Sequence, residues 1–442
     1  MSKSQREQRG DARTKMPERY QVEMQFLSLD QWLVKDHRVR TVWEYVESLD
    51  LSEIYDSIKA RSGTAGRDAI DPRILFALWL FATVEGITSA RRIAELVTRD
   101  IPYMWICGHV GVNYHCLADF RANHGELLER CLTHSIAVLL HQGLVTLDTV
   151  AQDGMRVRAS AGSSSFRRAA TLQESLKQAE EHMAQLRQQS DEESDGGNAR
   201  RRAAQERAAR ERKGRIEAAL AELKDIQGRY DKRKSGTKCS EPRASTTDPE
   251  TRRMKMSDNG TRPALNVQFV SDADAQLIVS VDVTSQGSDA GLLHPMYDAL
   301  HQQYGVTPSE YLVDGGFGKK NDVTYVERQG TKVYAPLYAE QKQLDRGEDP
   351  YAARSNESPE MTAHRQRMGT SEAKAIFARR APTAEFPNAY CRNKSLYQFR
   401  VRGRAKAKAQ ALWHALAFNF TRLLKLTCSQ RNTSYLEILM AN

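Results

Sequence analysis

The chain has 442 residues, of which 40% are hydrophobic and 27% charged. That length holds about three average domains, and the ordinary globular composition excludes a collagen-like or wholly disordered polymer. The 65 Lys and Arg exceed the 56 Asp and Glu by a formal charge of +9, which points toward a polyanion such as nucleic acid or an acidic membrane face, although the same surplus also serves solubility.

Six cysteines with no CxxC pair exclude a disulfide scaffold and a zinc ribbon, and predict a reducing compartment. Cys107, His109, His115 and Cys116 cluster in sequence, but Ile106, Val110 and Leu117 beside them favour core packing over metal ligation. The opening MSKSQREQRGDARTK has no apolar stretch of the secretory kind. The longest apolar run, Ile74 to Val84, has 11 residues, where a bilayer span needs about 20. A cytoplasmic protein without a membrane partner is expected.

Residues 1–30 carry little pattern and read as a flexible arm. A helical domain follows over residues 31–142. Asp71 and Pro72 form a helix start signal, with Ile70 placed to staple onto the next turn. The helix RILFALWLFATVEG is apolar almost all round and belongs inside a bundle, with Gly86 as its stop. Thr88 is expected to cap the next helix, TSARRIAELVTRD. The two make a helix-turn-helix-like pair in which Arg91 and Arg92 either meet DNA or face solvent. A longer helix is expected from about Tyr114 to Leu140.

Near Thr146 the apolar period shifts from 3.6 toward 2, so TLDTVAQDGMRVRASA, with Asp148 and Asp153, reads as a strand. Over residues 169–235 two heptad-like seams, Leu172 to Leu186 and Ile216 to Tyr230, flank the break SDEESDGGN and predict an antiparallel helical hairpin. Its second arm, ARRRAAQERAARERKGR, reads equally as a solvated helix face and as a nucleic-acid contact. Strand grammar returns in ALNVQFV, the turn SDADA and QLIVSVDVTSQ. The last is nearly all apolar and is therefore expected to be central. Then come a helix (SDAGLLHPMYDALHQQYG), a buried strand (EYLVDGG), a helix from about Lys320 and a strand (KVYAPL). Tyr338 to about Arg367 reads as loop, and helices from Ser371 onward fill the remainder up to a tail at 431–442. The order is that of a mixed α/β core over residues 143–168 and 236–430, interrupted by the hairpin.

Asp314 closes an apolar strand and precedes Gly315 and Gly316; Asp153 stands comparably beside Gly154. Carboxylates on neighbouring strands repel unless a cation neutralises them, and Mg²⁺ suits such an oxygen site. Glu372 and Glu385 are candidate third acids, with Glu327 and Glu340 behind them. Glu385 lies among Arg379, Arg380, Arg392, Lys394, Arg400 and Arg402. Either these cations meet phosphates while the acid meets metal, or Glu385 simply pairs with Arg380 or Arg392.

These residues resemble the bacterial insertion-sequence DDE transposases, over most of the chain from about Asp36 to about Leu426. IDPRILFALWLFATVEGITSARRIAEL, YMWICG and DFRANHGELL resemble the family's helical N-terminal domain. VAQDGMRVRASA resembles its first-aspartate motif and YLVDGGFGKKND its second, with STTDPETRRMK, LNVQFV and VDVTSQGSDAGLLHPM leading in between. AEFPNAYCRNKSLYQFRVRG followed by ALWHALAFNF resembles the glutamate motif. Where many relatives carry Tyr and Lys around that glutamate, this chain has Phe377 and Arg392, and Pro382 lies just upstream.

The resemblance implies an RNase H-like catalytic core, with the hairpin inserted after its first strand. It also implies a triad of Asp153, Asp314 and Glu385 that holds Mg²⁺, for which Mn²⁺ substitutes. The implied activity is cleavage at element ends and strand transfer into target DNA by metal-assisted phosphoryl transfer. The implied partners are double-stranded DNA, comprising terminal inverted repeats and target, and a second copy of the chain on paired ends. Arg379, Arg380, Arg392, Lys394 and Arg402, with Arg91 and Arg92, are the expected DNA contacts. Two alternatives compete with this reading: an RNase H-like nuclease without joining activity, and a non-catalytic DNA-binding protein derived from a transposase.

Overall fold

The computed structural model describes residues 19–20, 22, 24, 26–63, 65, 67–192, 199–231 and 241–429; the expected arm lies largely, and the tail wholly, outside them. In the N-terminal region α1 (Arg38–Glu47) packs on α2 (Pro72–Glu85). The carboxylate of Asp71 accepts the Arg73 N–H at 2.8 Å, Pro72 takes the first helical position, and Gly86 ends the helix at φ 84°. Every residue from Ile74 to Val84 is buried, and Phe76 meets Trp413 at 4.7 Å between ring centroids.

After a bend of 103°, α3 (Ala90–Leu96) is capped by Ser89 and not by Thr88. Thr88 is buried and its carbonyl accepts from Arg121, which leaves the Ser89 hydroxyl to take the Arg92 N–H. A helix the sequence reading omitted, α4 (Ile101–Cys107), follows. The single long helix expected next is two, α5 (Tyr114–Asn123) and α6 (Gly125–His141). The break is at His124, whose backbone leaves the helical region just before a glycine, a residue that weakens helix interiors. Among the described residues no single helix is long and apolar enough to cross a membrane.

The chain then forms β1 (Thr149–Arg158), the hairpin α7 (Ala169–Glu192) and α8 (Ala199–Asp231), β2 (Arg252–Lys255), β3 (Thr261–Asp272), β4 (Ile278–Thr284), α9 (Leu293–Tyr304), β5 (Glu310–Leu312), α10 (Lys320–Arg328) and β6 (Lys332–Tyr334). It ends with α11 (Pro359–Met368), α12 (Ser371–Ala378), α13 (Phe386–Asn393) and α14 (Arg404–Ser429). Across the sheet, β2 and β4 share one edge of β3, and β1, β5 and β6 follow in that order. β3 runs antiparallel to β1, whereas β1, β5 and β6 are parallel. The molecule is thus a mixed helix and sheet fold.

Two expectations are corrected here. Among the described residues the apolar strand β4 pairs only with β3, which puts it at an edge. Apolar runs report what covers the faces of a strand, not how many neighbours it has, and α14 packs over this one. Asn419 of α14 also acts as a one-residue substitute strand: its Oδ1 accepts the Ile278 N–H at 2.8 Å and its Nδ2 donates to the Ile278 carbonyl at 2.7 Å. The second correction is the expected loop from Tyr338 to Arg367, which contains Glu340–Leu344 and α11. Ser358 caps α11 and Met361, His364, Arg365 and Met368 form its buried face. Arg365 is buried against Glu357 through a two-bonded pair at 2.6 and 2.8 Å, so a charged residue occupies a core position and hides the period.

The helical hairpin forms, with Leu172, Ala179, Ile216, Ala219, Leu223 and Ile226 in its seam. The Gly-Gly break at 196–197 lies outside the described residues. Part of the basic arm is neutralised within the hairpin, as Lys213 pairs with Glu180 at 2.9 Å and Arg215 with Glu211 at 3.8 Å.

Candidate active site

Alternation along β1 turns Asp153 to the same face as Ala151, and Gln152 and Gly154 to the other. Ala151 stands opposite Leu312 on the parallel strand β5. Two residues further along each chain come Asp153, still in β1, and Asp314, which lies past the end of β5 and caps the short turn Gly315–Phe317; the charge of Asp314 acts on the Asp153 carboxyl. Asp314 Oδ1 accepts the Gly316 N–H at 2.7 Å, and a Cβ at residue 316 would sit 2.9 Å from that oxygen. A glycine there lets the aspartate fold back on its own turn.

Asp153 accepts from the Gly154 N–H at 2.8 Å through Oδ1, and from Asn388 Nδ2 at 2.9 Å through Oδ2. Burial pushes its carboxyl up to about 6; the Gly154 N–H, Arg380 and Asn388 pull it down, while the charge of Asp314 adds to the rise. A buried acid so perturbed, with the charge of a second acid acting on it, is a candidate functional group.

Gly154 has a role different from ligand approach. On the far face Asp289 Oδ1 accepts from Asn266 Nδ2 at 2.7 Å and Gln268 Nε2 at 2.9 Å. Gln152 joins Gln268 at 2.8 Å and takes the Tyr311 hydroxyl at 3.0 Å. A Cβ on residue 154 would collide with Asp289 and lie 2.5 Å from Gln268 Nε2. Gly154→Ala is therefore expected to disrupt this buried ladder beneath Asp153 and to destabilise the protein by about 1–3 kcal/mol, read as a lower midpoint in urea. A midpoint equal to that of the parent would show that the ladder yields without loss.

The expected third acid, Glu385, lies in the segment between α12 and α13. Ala381–Glu385 form a π-helical turn with Pro382 in its first positions, a wider turn that accommodates a residue with no N–H to give. Glu385 precedes α13, and Asn388 follows it by three residues, which places both on one helix face. Because Asn388 bonds to Asp153, this face is directed at that aspartate. The Glu385 carboxylate itself accepts from Arg380 at 2.7 Å, and the same Arg380 charge reaches Asp153. Among the described residues no group of three or more His, Cys, Asp or Glu is arranged to hold a metal ion. The structure thus puts Asp153 within electrostatic reach of Asp314 and leaves Glu385 turned to Arg380.

Of the other acids, Glu327 is ion-paired with Arg367 and accepts the Val333 N–H at 2.8 Å, and Glu340 takes the Tyr351 hydroxyl at 2.5 Å. Glu372 lies exposed in the first turn of α12. Among the expected DNA contacts, Arg379 pairs with Asp274 at 2.6 Å and Arg92 with Glu95 at 3.0 Å. Arg91 lies 5.1 Å over the Tyr114 ring, Lys394 lies 5.9 Å over Tyr390, and Arg392 and Arg402 are exposed. Sequence reasoning missed Asn388, whose signal was its spacing from Glu385. Its Oδ1 is buried and has no hydrogen-bond partner among the described residues. Two carboxylates with an unclaimed amide oxygen beside them fit a hard divalent cation.

Residues 27–123 match the family described as Transposase domain (DUF772), and residues 350–424 match the one described as Transposase DDE domain. The second span includes Glu385, Asn388 and the surrounding arginines. No curated protein and no solved structure matches the chain.

Proposed function

We propose that this insertion-sequence DDE transposase cuts DNA at the ends of its element and joins the freed 3′-hydroxyl to target DNA, with Asp153, Asp314 and Glu385 as its acidic triad. The observation that carries the reading is that β1 pairs with β5 up to Ala151 and Leu312, two residues short of Asp153 and Asp314, and that the charge of Asp314 acts on the Asp153 carboxyl. The strand order, with an antiparallel β3 and parallel β5 and β6 flanking β1, supports an RNase H-like core.

Asp153 and Asp314 would hold a divalent cation, Mg²⁺ or Mn²⁺, with Glu385 joining them once it leaves Arg380. When bound, such an ion lowers the pKa of water and stabilises charge on the phosphodiester oxygens. The protein's own groups do the rest. Asn388 holds the Asp153 carboxylate in orientation. The Gly154 and Gly316 N–H groups keep one oxygen of each aspartate ordered. Arg380, only 15% exposed and already beside the acids, is placed to take a phosphate oxygen near the cut. A dimer on paired ends would bring two such sites to two DNA ends.

The test uses a duplex bearing element ends and, separately, pre-cut 3′-hydroxyl ends mixed with target plasmid. Mg²⁺-dependent nicking together with joined products is expected. Nicking without joining would make the protein a nuclease, and DNA binding with neither reaction would make it non-catalytic.

A further inference from the structure

A second charged site lies away from the acids, at the base of the helical hairpin. Arg167, Arg212, Arg215 and Arg402, with Thr246 and Thr247, line a cleft of about 370 Å³ in which no carboxylate takes part. The arginines come from separate parts of the fold. Arg167 sits on a two-residue strand paired with Ala244–Ser245, Arg212 and Arg215 lie one turn apart on α8, and Arg402 follows the segment that bridges Gln398 to Arg158 at the end of β1.

Among the described residues only Arg215 has a carboxylate in ion-pair reach, Glu211 at 3.8 Å. Arg402 gives its Nε to the Ser160 carbonyl at 3.3 Å and acts at longer range on the buried Asp248. Four guanidinium groups gathered by the fold, offset only by the long Arg215–Glu211 pair and the more distant Asp248, repel one another unless an anion enters. Forked donors with hydroxyls beside them suit a phosphate diester.

The position decides which phosphate. Ser160 follows Asp153 by seven residues along extended chain. At about 3.3 Å per residue the cleft lies on the order of 20 Å from the acids, within one duplex turn of about 34 Å. The cleft is therefore within reach of one turn of a duplex whose scissile phosphate sits at Asp153.

We propose that Arg167, Arg212, Arg215 and Arg402 form a backbone clamp for the duplex flanking the cut, which makes the base of the hairpin a DNA-holding element. The inference rests on the transposase reading of the acidic site, and it assigns the clamp no base recognition.

The test measures binding of the full-length protein to a labelled duplex of about three helical turns, by anisotropy over a salt series without divalent ions. Arg167→Gln/Arg212→Gln/Arg402→Gln is compared with the parent, with thermal melts as a check on folding. Each lost phosphate contact removes about 0.9 from the slope of log K against log salt, so the slope is expected to fall by about 2–3, with affinity at least about tenfold weaker on any sequence. An unchanged slope, with or without weaker binding, overturns the clamp. If duplex RNA binds more tightly than DNA through these residues, the assignment to DNA is overturned. If the parent protein binds no duplex at all, the transposase reading fails first, an outcome distinct from a parent and a variant that bind alike.

Discussion

Asp153→Asn is expected to abolish strand cleavage and at the same time to raise the thermal midpoint. The two effects share a cause. Burial holds the Asp153 carboxyl near 6 in the folded protein, against an ordinary 3.8. The folded state therefore favours the protonated acid, and ionising it at neutral pH costs on the order of 3 kcal/mol as an upper figure. That cost is absent below the ordinary value and grows as pH rises toward 6, so this group makes the protein less stable at pH 7 than at pH 5. Asparagine removes the charge and keeps the shape. Its new N–H₂ would meet Asn388 Nδ2, but the Asn388 Oδ1 has no partner among the described residues, so rotating that amide turns the clash into a hydrogen bond.

A gain of about 1–2 kcal/mol at pH 7, shrinking toward pH 5, is the expected melt result. Cleavage should drop by two to three orders of magnitude or more, the scale on which a site loses a group that stabilises transition-state charge. In the parent protein a protonated Asp153 cannot ligate, so activity should fall on the acid side with a midpoint near 6 that moves lower as the divalent ion concentration rises. A variant that melts lower than the parent at pH 7, or that still cuts, would break the link between the strained carboxylate and the chemistry.

How much of this was legible beforehand differs by residue. The places of Asp153 within β1 and of Asp314 just past β5 could be read because each closes or interrupts an apolar strand and is followed by glycine. The reason for Gly154 could not be read, since the crowding comes from Asp289 and Gln268, both more than 100 residues away in sequence. The edge position of β4 was hidden because its cover comes from α14 and its partial edge pairing from Asn419, a side chain on the last helix. α11 was hidden by Arg365, whose burial depends on an exact partner in Glu357. The arginine cleft was invisible for a similar reason: the densest basic run in the sequence is partly neutralised by its own helix partner, whereas the cleft draws on three further segments. Local signals survive translation into sequence, and convergence of distant segments does not.

Arg380→Gln is expected to tighten Mn²⁺ binding in the absence of DNA by roughly tenfold, about 1.4 kcal/mol, and yet to slow cleavage. Arg380 is a largely buried cation that donates to Glu385 at 2.7 Å and lowers the carboxyl of Asp153. It already supplies the acids with positive charge, so a divalent ion entering the free protein meets repulsion from the guanidinium and finds Glu385 engaged. Glutamine removes the repulsion and frees the carboxylate to turn toward the aspartates. DNA would achieve the same release in the parent protein, because a backbone phosphate beside the acids competes with Glu385 for Arg380 and adds negative charge for the ion. Metal binding and substrate binding then reinforce each other, and their coupling must be reciprocal. In the glutamine variant this coupling should largely vanish, so that Mn²⁺ affinity is nearly the same with and without DNA while the phosphate contact is lost and the cut slows. Arg380→Lys keeps the charge and should keep weak Mn²⁺ binding. Calorimetry or electron spin resonance of Mn²⁺ on the three proteins separates these outcomes, and equal affinity in the parent and the glutamine variant would mean that Arg380 does not stand in the cation's way.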